Sequence, residues 1–87
     1  LDVRSKKEFA NGHIPQSVNV PFETIEYQLD DLMNLKDKKV VVYSRSGRRA
    51  ALAEKVLEKN GFKNIYHLTG DIKAWRNKGL PESKIYE

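Results

Sequence analysis

The chain contains no cysteine, so disulfides, zinc-thiolate sites and thiol chemistry are excluded from it as it stands. It also lacks any long apolar run, and with 32% charged residues nothing in it reads as a membrane span. Its two histidines, without cysteine partners, do not make a metal site, and no cofactor is indicated. Repeats, low-complexity segments and linkers are absent as well. The net charge of +4 raises nucleic acid as a partner, yet sixteen basic residues are interleaved with twelve acidic ones, and no basic stripe carries interleaved aromatics. Neither nucleic acid nor a membrane is therefore an expected partner. No signal peptide is visible and a cytoplasmic location is expected, although the chain does not begin with Met and an upstream segment could carry an address.

What is present fits one small domain, 87 residues able to bury about 60 to 65% of the surface their unfolded chain exposes. The organising stretch runs from Lys39 to Leu52. Val40, Val41, Val42 and Tyr43 form a continuous apolar run, suited to a central parallel strand covered on both faces. A short loop, Ser44 to Arg49, follows and opens a helix from about Arg48 to Asn60 whose apolar face is Ala50, Ala53, Val56 and Leu57. Open α/β sheets place ligands at the carboxyl ends of their strands, and backbone N–H groups converge at a helix N-terminus. Ser44 to Arg49 is thus a candidate anion cradle, with Gly47 permitting close backbone approach.

Upstream, Leu1 to Val3 reads as the end of a strand. Ser5 and Glu8 form a capping box for a helix over Lys6 to Ala10, which Asn11-Gly12 stops. Ser17 to Val20 alternates as a short strand ended by Pro21, and Phe22 to Leu35 carries helical spacing with a break expected at Asp30-Asp31. Downstream, Asn64 to Leu68 reads as a strand. A helix follows from Asp71 to about Lys78 with Ile72 and Trp75 facing inward, and then an extended tail over Leu80 to Glu87. Strands alternating with helices at this spacing predict an α/β fold: a parallel sheet flanked by helices on both faces.

Several stretches, taken together, resemble the rhodanese-like family. They are Asp2-Val3-Arg4 with Glu8-Phe9, Gly12-His13-Ile14-Pro15, Asn19-Val20-Pro21, the strand Val40 to Tyr43, and the loop Arg45-Ser46-Gly47-x-Arg49. Gly61-Phe62-x-Asn64-Ile65-Tyr66 and Gly70-x-Ile72-x-Ala74-Trp75 with Gly79-Leu80-Pro81 complete the set, in the family's order and spacing. The resemblance implies a rhodanese-like domain over residues 1–87 with a four- or five-stranded sheet, lacking the family's N-terminal strand and helix. It further implies a sulfurtransferase. A loop cysteine takes sulfane sulfur from a small anionic donor such as thiosulfate, holds it as a persulfide, and passes it to a thiol or cyanide acceptor, a protein sulfur acceptor among them. Six positions from Ser44 to Arg49 match the sulfur-handling members. The phosphatase and arsenate-reductase relatives carry seven, so phosphate or arsenate chemistry ranks below sulfur.

The chain departs from this pattern at the nucleophile. Ser44 stands where the family has cysteine, and a serine hydroxyl stays protonated without a neighbouring base. The chain as written is therefore expected to bind anions without turnover. Either it is an active enzyme substituted at Ser44, favoured because the rest of the loop is intact, or it is a naturally silent anion- or protein-binding regulatory module. Ser44 and Arg49 are the candidate catalytic positions, and Arg45, Ser46, Gly47 and Arg48 the candidate anion-binding loop. Cations at a helix N-terminus oppose its dipole and so ask for an anionic partner. Ser46 is expected to shape the loop through a side-chain to backbone bond. Arg4 and Glu8, four apart, are expected to form an ion pair. Asp2 reads as a capping acid, His13 as structural, His67 as a packed or rim histidine, and no Ser-His-Asp arrangement is expected.

Overall fold

A computed structural model describes residues 1–86, so the last residue of the expected tail, Glu87, lies outside the described residues. The first helix, α1, spans Lys6–Ala10 as the capping box predicts: the Ser5 hydroxyl accepts the Glu8 N–H and Glu8 accepts the Ser5 N–H, both at 3.2 Å. Residues 22–35 break into three short pieces, a 3₁₀ turn at Phe22–Tyr27, α2 at Leu29–Leu32 and a second 3₁₀ turn at Met33–Leu35. The break falls at Gln28, not at Asp30-Asp31, which instead supply the acidic first turn that a helix dipole favours. Only Ile25 and Leu32 of this stretch are fully covered, and Met33 is 44% exposed, so the apolar pattern buries one turn at a time.

Strand β1 is Val40–Val42 and β2 is Ile65–His67, paired in parallel with Val40 opposite Ile65 and Val42 opposite His67. Between them runs α3, Arg48–Lys59, the helical crossover that a parallel pair requires. Two further lines of chain extend the sheet through single parallel bridges, Asp2 to Tyr43 and Asp2 to Asn19. The sheet therefore carries four parallel segments, in the order 18–20, 1–3, β1, β2. The first two of these stay short because their polar side chains consume backbone groups: Asp2 takes the Arg4 N–H at 2.9 Å, and the Asn19 amide donates to the Asp2 and Arg4 carbonyls.

The main core lies between the sheet and α3, where Val3, Val20, Val40 and Val42 meet Ala50, Ala53 and Leu57, with Ile25, Leu32 and Phe62 closing it. Leu57 alone, fully covered, contributes about 2 kcal/mol by leaving water. The opposite face carries α4, Asp71–Asn77, whose Trp75 shares a groove with Leu1, Ile14, Val41, Tyr43 and Leu68. That cover is thinner than the continuous apolar run predicts: Val41 is 45% exposed.

Arg4 does not pair with Glu8. It is buried against Asp2, with two nitrogens on the carboxylate at 2.7 to 3.1 Å, a further bond to the Gly12 carbonyl and its guanidinium over the Tyr43 ring. Glu8 lies on the opposite side of its own turn, facing α3, and is left to another arginine. His13 is structural as expected, stacked on Phe9 and bonded to its carbonyl. The tail is fastened by reciprocal backbone bonds between His13 and Ser83, by Ile85 N–H to the Ala10 carbonyl, and by the Trp75 indole donating to Pro81.

Candidate active site

The loop from Ser44 to Arg49 sits at the carboxyl end of β1, and the turn that joins it to α3 is made by Gly47 at φ 110°, a conformation costly to any residue with a Cβ. This turn folds the chain back so that the Ser44 hydroxyl oxygen accepts two backbone N–H groups, from Gly47 at 3.1 Å and from Ala50 at 3.2 Å. The bond expected of Ser46 is thus made by Ser44, and Ser46 forms no side-chain hydrogen bond among the described residues. Among the described residues the N–H groups of Arg45, Ser46, Arg48 and Arg49 find no backbone acceptor either, since they lie in the loop or the first turn of α3. The twelve-residue helix adds the positive end of its dipole to the same point.

Ser44 is buried at the floor of a cavity of about 370 Å³ lined by Phe22, Ser44, Arg45, Ser46, Arg48, Arg49 and Leu52. Five of the six loop residues singled out in the sequence therefore meet around one space. Gly47 is the exception, turned to the back of the loop. Arg45 and Arg48 are exposed at the mouth, and neither forms an ion pair among the described residues. Arg49 is different: its guanidinium is held in a two-point bond by Glu8, at 2.6 and 2.9 Å. That bond is the first cause of a Glu8 carboxyl pKa lowered to about 2, with the Ser5 N–H and hydroxyl adding to it. Arg49 is correspondingly raised, chiefly by Glu8. The arginine that closes the loop is a strut from α3 to α1, which leaves Arg45 and Arg48 as the loop's unpaired cations among the described residues.

Behind the loop lies a cluster that sequence reasoning missed. One Asp71 carboxylate oxygen accepts the Ser44 backbone N–H at 2.9 Å, and the other meets His67 Nε2 at 2.9 Å. His67 Nδ1 in turn meets Glu54 of α3 at 2.5 Å. Asp71 is buried and holds a left-handed backbone, φ 56°, that side chains seldom adopt. An acid opening a helix reads in sequence as an ordinary dipole match, and His67 reads as a rim residue. The only available signal was the four-residue spacing of His67 and Asp71 across a turn. His67 touches the backbone of Ser44 only through Asp71 and never its hydroxyl, so the described residues form no Ser-His-Asp triad at Ser44.

This geometry has clear relatives. The Rhodanese-like domain profile matches residues 1–78. A sulfurtransferase of Allochromatium vinosum is 36% identical over 81 residues, covering 93% of this chain and 74% of that protein. A tRNA uridine(34) hydroxylase of Sodalis glossinidius is likewise 36% identical over 89 residues, but this chain spans only 25% of its length. Among solved structures, a rhodanese-related protein from Thermoplasma volcanium superposes with a TM-score of 0.85 at 34% identity, over 95% of this chain and 80% of that one. With the profile running from the first bridge of the sheet through the last turn of α4, the chain belongs to the rhodanese-like family.

Proposed function

We propose that this domain is a sulfurtransferase-type site for a small anionic sulfur donor, thiosulfate or a close analogue, in which Ser44 occupies the place of the nucleophile. The observation that carries the reading is the position of the Ser44 oxygen, at the meeting point of two backbone N–H groups and the α3 N-terminus, on the floor of a cavity with Arg45 and Arg48 at its mouth. A sulfur in that place receives the same two N–H groups, and the dipole stabilises it as a thiolate without a separate base. The thiolate attacks the outer sulfur of thiosulfate, a sulfur-sulfur bond forms to the loop, and sulfite leaves with the electron pair of the broken bond. A thiol or cyanide acceptor then attacks the persulfide's outer sulfur and returns the thiolate. The same N–H groups favour both charged forms, which is what a two-step transfer requires.

With serine in place, the first step has no nucleophile. No base among the described residues touches the hydroxyl to ionise it, and an oxygen cannot store sulfane sulfur as a persulfide. The chain as written binds the donor and stops. Arg45 and Arg48 draw the anion in, and Phe22 and Leu52 give the cavity an apolar wall for the acceptor to lie against.

The second reading, a binding or regulatory module that never transfers sulfur, draws support from how fully Ser44 and Arg49 are already engaged within the protein. One experiment separates the two. Sulfur transfer from thiosulfate to cyanide, followed as thiocyanate, is expected at background for this chain and well above it for Ser44→Cys. A folded cysteine variant that binds thiosulfate and still yields no thiocyanate overturns the enzyme reading and leaves the binding module.

A further inference from the structure

We infer that Asp71 and His67 are positioning residues for the anion loop, and that the proton on His67 is linked to anion occupancy at Ser44. The inference rests on the reading of the loop as an anion site. It deepens that reading by joining the site to an imidazole whose two ring nitrogens both face carboxylates.

Both ring nitrogens of His67 face carboxylate oxygens, Nε2 toward Asp71 at 2.9 Å and Nδ1 toward Glu54 at 2.5 Å. Ionised carboxylates only accept, and a neutral imidazole has a single N–H. In the neutral ring one of the two contacts becomes a lone pair against a negative oxygen. Only the imidazolium satisfies both. The hydrogen bond to Asp71, and secondly that to Glu54, raise the His67 pKa against the opposing effect of partial burial.

The cluster is fastened to the loop at three points. Asp71 holds the N–H of Ser44, the first loop residue, and Glu54 belongs to α3, the helix the loop opens. Gly47 closes over both: a Cβ placed on it would stand 3.0 Å from the Asp71 carboxylate and 3.5 Å from the His67 ring. The cluster therefore sets the distance between the strand end and the helix N-terminus, the quantity that fixes the radius of the cradle. Its charge is −1 with His67 protonated, one imidazolium against two carboxylates, and −2 without that proton. Losing the proton breaks one fastening and adds negative charge behind the anion, and both changes weaken anion binding. By reciprocity, a bound anion holds the proton more tightly.

Other charged groups flank the ring. Lys39 at the foot of β1 and Lys78 beyond α4 share the open groove on the outer side of His67, while Arg45 and Arg48 stand on the cavity side. The remaining imidazole, His13, is stacked on Phe9 and gives a separate ring signal.

The test follows the His67 ring by NMR with and without saturating thiosulfate, alongside thiosulfate Kd by calorimetry from about pH 5.5 to about pH 9. Binding is expected to weaken roughly fivefold as His67 loses its proton, and the ring is expected to titrate at higher pH when thiosulfate is bound. His67→Gln, whose single amide nitrogen cannot face both carboxylates as the two ring nitrogens do, is expected to bind with the weaker high-pH affinity at every pH. Asp71→Gly relieves the left-handed backbone and so keeps the fold while cutting the link, and it is expected to lose the pH dependence as well. A His67 ring unmoved by saturating thiosulfate, or a His67→Gln profile that tracks the parent, overturns the inference while leaving the anion site standing. Failure to bind thiosulfate at any pH overturns the anion-site reading itself, and this inference with it.

Discussion

Two corners of the fold share one plan and differ in what they do with it. At each, a parallel strand ends, a left-handed glycine without a side-chain cap makes the turn, and a helix begins: Gly47 at φ 110° between β1 and α3, Gly70 at φ 77° between β2 and α4. The first corner spends five residues, Tyr43 to Gly47, between strand and helix and opens its helix with Arg48 and Arg49. Its backbone donors converge on Ser44 or remain open to the cavity. The second needs only Leu68, Thr69 and Gly70, and opens with Asp71. The Asp71 N–H closes on the Leu68 carbonyl, and its carboxylate reaches back to hold Ser44. Loop length and the sign of the first charged residue thus turn one strand-turn-helix plan into a site facing outward and a support facing inward.

The strongest way to break this comparison is to place a thiol at each corner. Ser44→Cys is expected to raise thiosulfate-dependent thiocyanate formation on the order of a thousandfold over the parent, because it restores a nucleophile to a finished cradle. Thr69→Cys, an exposed thiol at the second corner, is expected to give no gain. Equal activity from the two would mean that any accessible thiol serves and that the cradle contributes nothing.

Next in size are the turning glycines. A Cβ on Gly70 would stand 2.4 Å from the Ala74 Cβ in a left-handed backbone, so Gly70→Ala is expected to cost about 3 kcal/mol in urea unfolding. Gly47→Ala meets the Asp71 carboxylate at 3.0 Å, a contact that can yield slightly, and is expected to cost about 2 kcal/mol. The corners should separate in function, however. Gly47→Ala is expected to lose thiosulfate binding in calorimetry, whereas the folded fraction of Gly70→Ala keeps most of it.

Smaller still, the corners lose stability at opposite ends of the pH scale. Glu8 braces the first corner through Arg49, and its pKa is lowered from the ordinary 4.5 to about 2. Its contribution is present above the unfolded value and lost as pH falls toward about 2. Since its side chain is about a third exposed, the amount is about 1 kcal/mol. His67 braces the second corner with a raised pKa, so its contribution is present below the ordinary imidazole value of 6.5 and lost as pH rises through the raised one. Unfolding free energies measured across pH are expected to flatten on the acid side in Glu8→Gln and on the alkaline side in His67→Gln.

The difference between the corners also explains what the sequence could and could not disclose. The first was legible because its signals are local: three valines, a glycine and the helical spacing of Ala50, Ala53, Val56 and Leu57 in one unbroken stretch predict β1, the loop and α3 within about a residue. α1 was legible for the same reason, with Ser5 and Glu8 three apart. Contacts across the fold were not. Glu8 chooses Arg49, forty-one residues away, over Arg4, because Asp2 already claims Arg4 inside the protein. Nor was the thinner cover of the second sheet face, since three valines look alike whichever side a helix takes. Asp71 was hidden most completely: its role depends on a left-handed φ that only glycine would have announced.

That conformation supplies the finest test of the comparison, because among the described residues one other shares it without being glycine. Gln16 holds φ 70° as the third residue of a turn from Ile14 to Ser17, after Pro15, where a type II turn favours glycine. Its side chain is exposed and makes no hydrogen bond among the described residues. Gln16→Gly removes about 1 kcal/mol of left-handed strain, partly offset by the freedom glycine gains when unfolded, so a net stabilisation of about 0.5 kcal/mol is expected. Asp71→Gly relieves the same strain but leaves the buried Ser44 N–H without its acceptor, a loss of about 1 to 3 kcal/mol, and is expected to destabilise by about 1 kcal/mol net. Opposite signs at two positions of like backbone would isolate the carboxylate's work from the cost of its conformation. If both substitutions stabilised, Asp71 would be carrying strain without support, and the second corner would cease to be a buttress for the first.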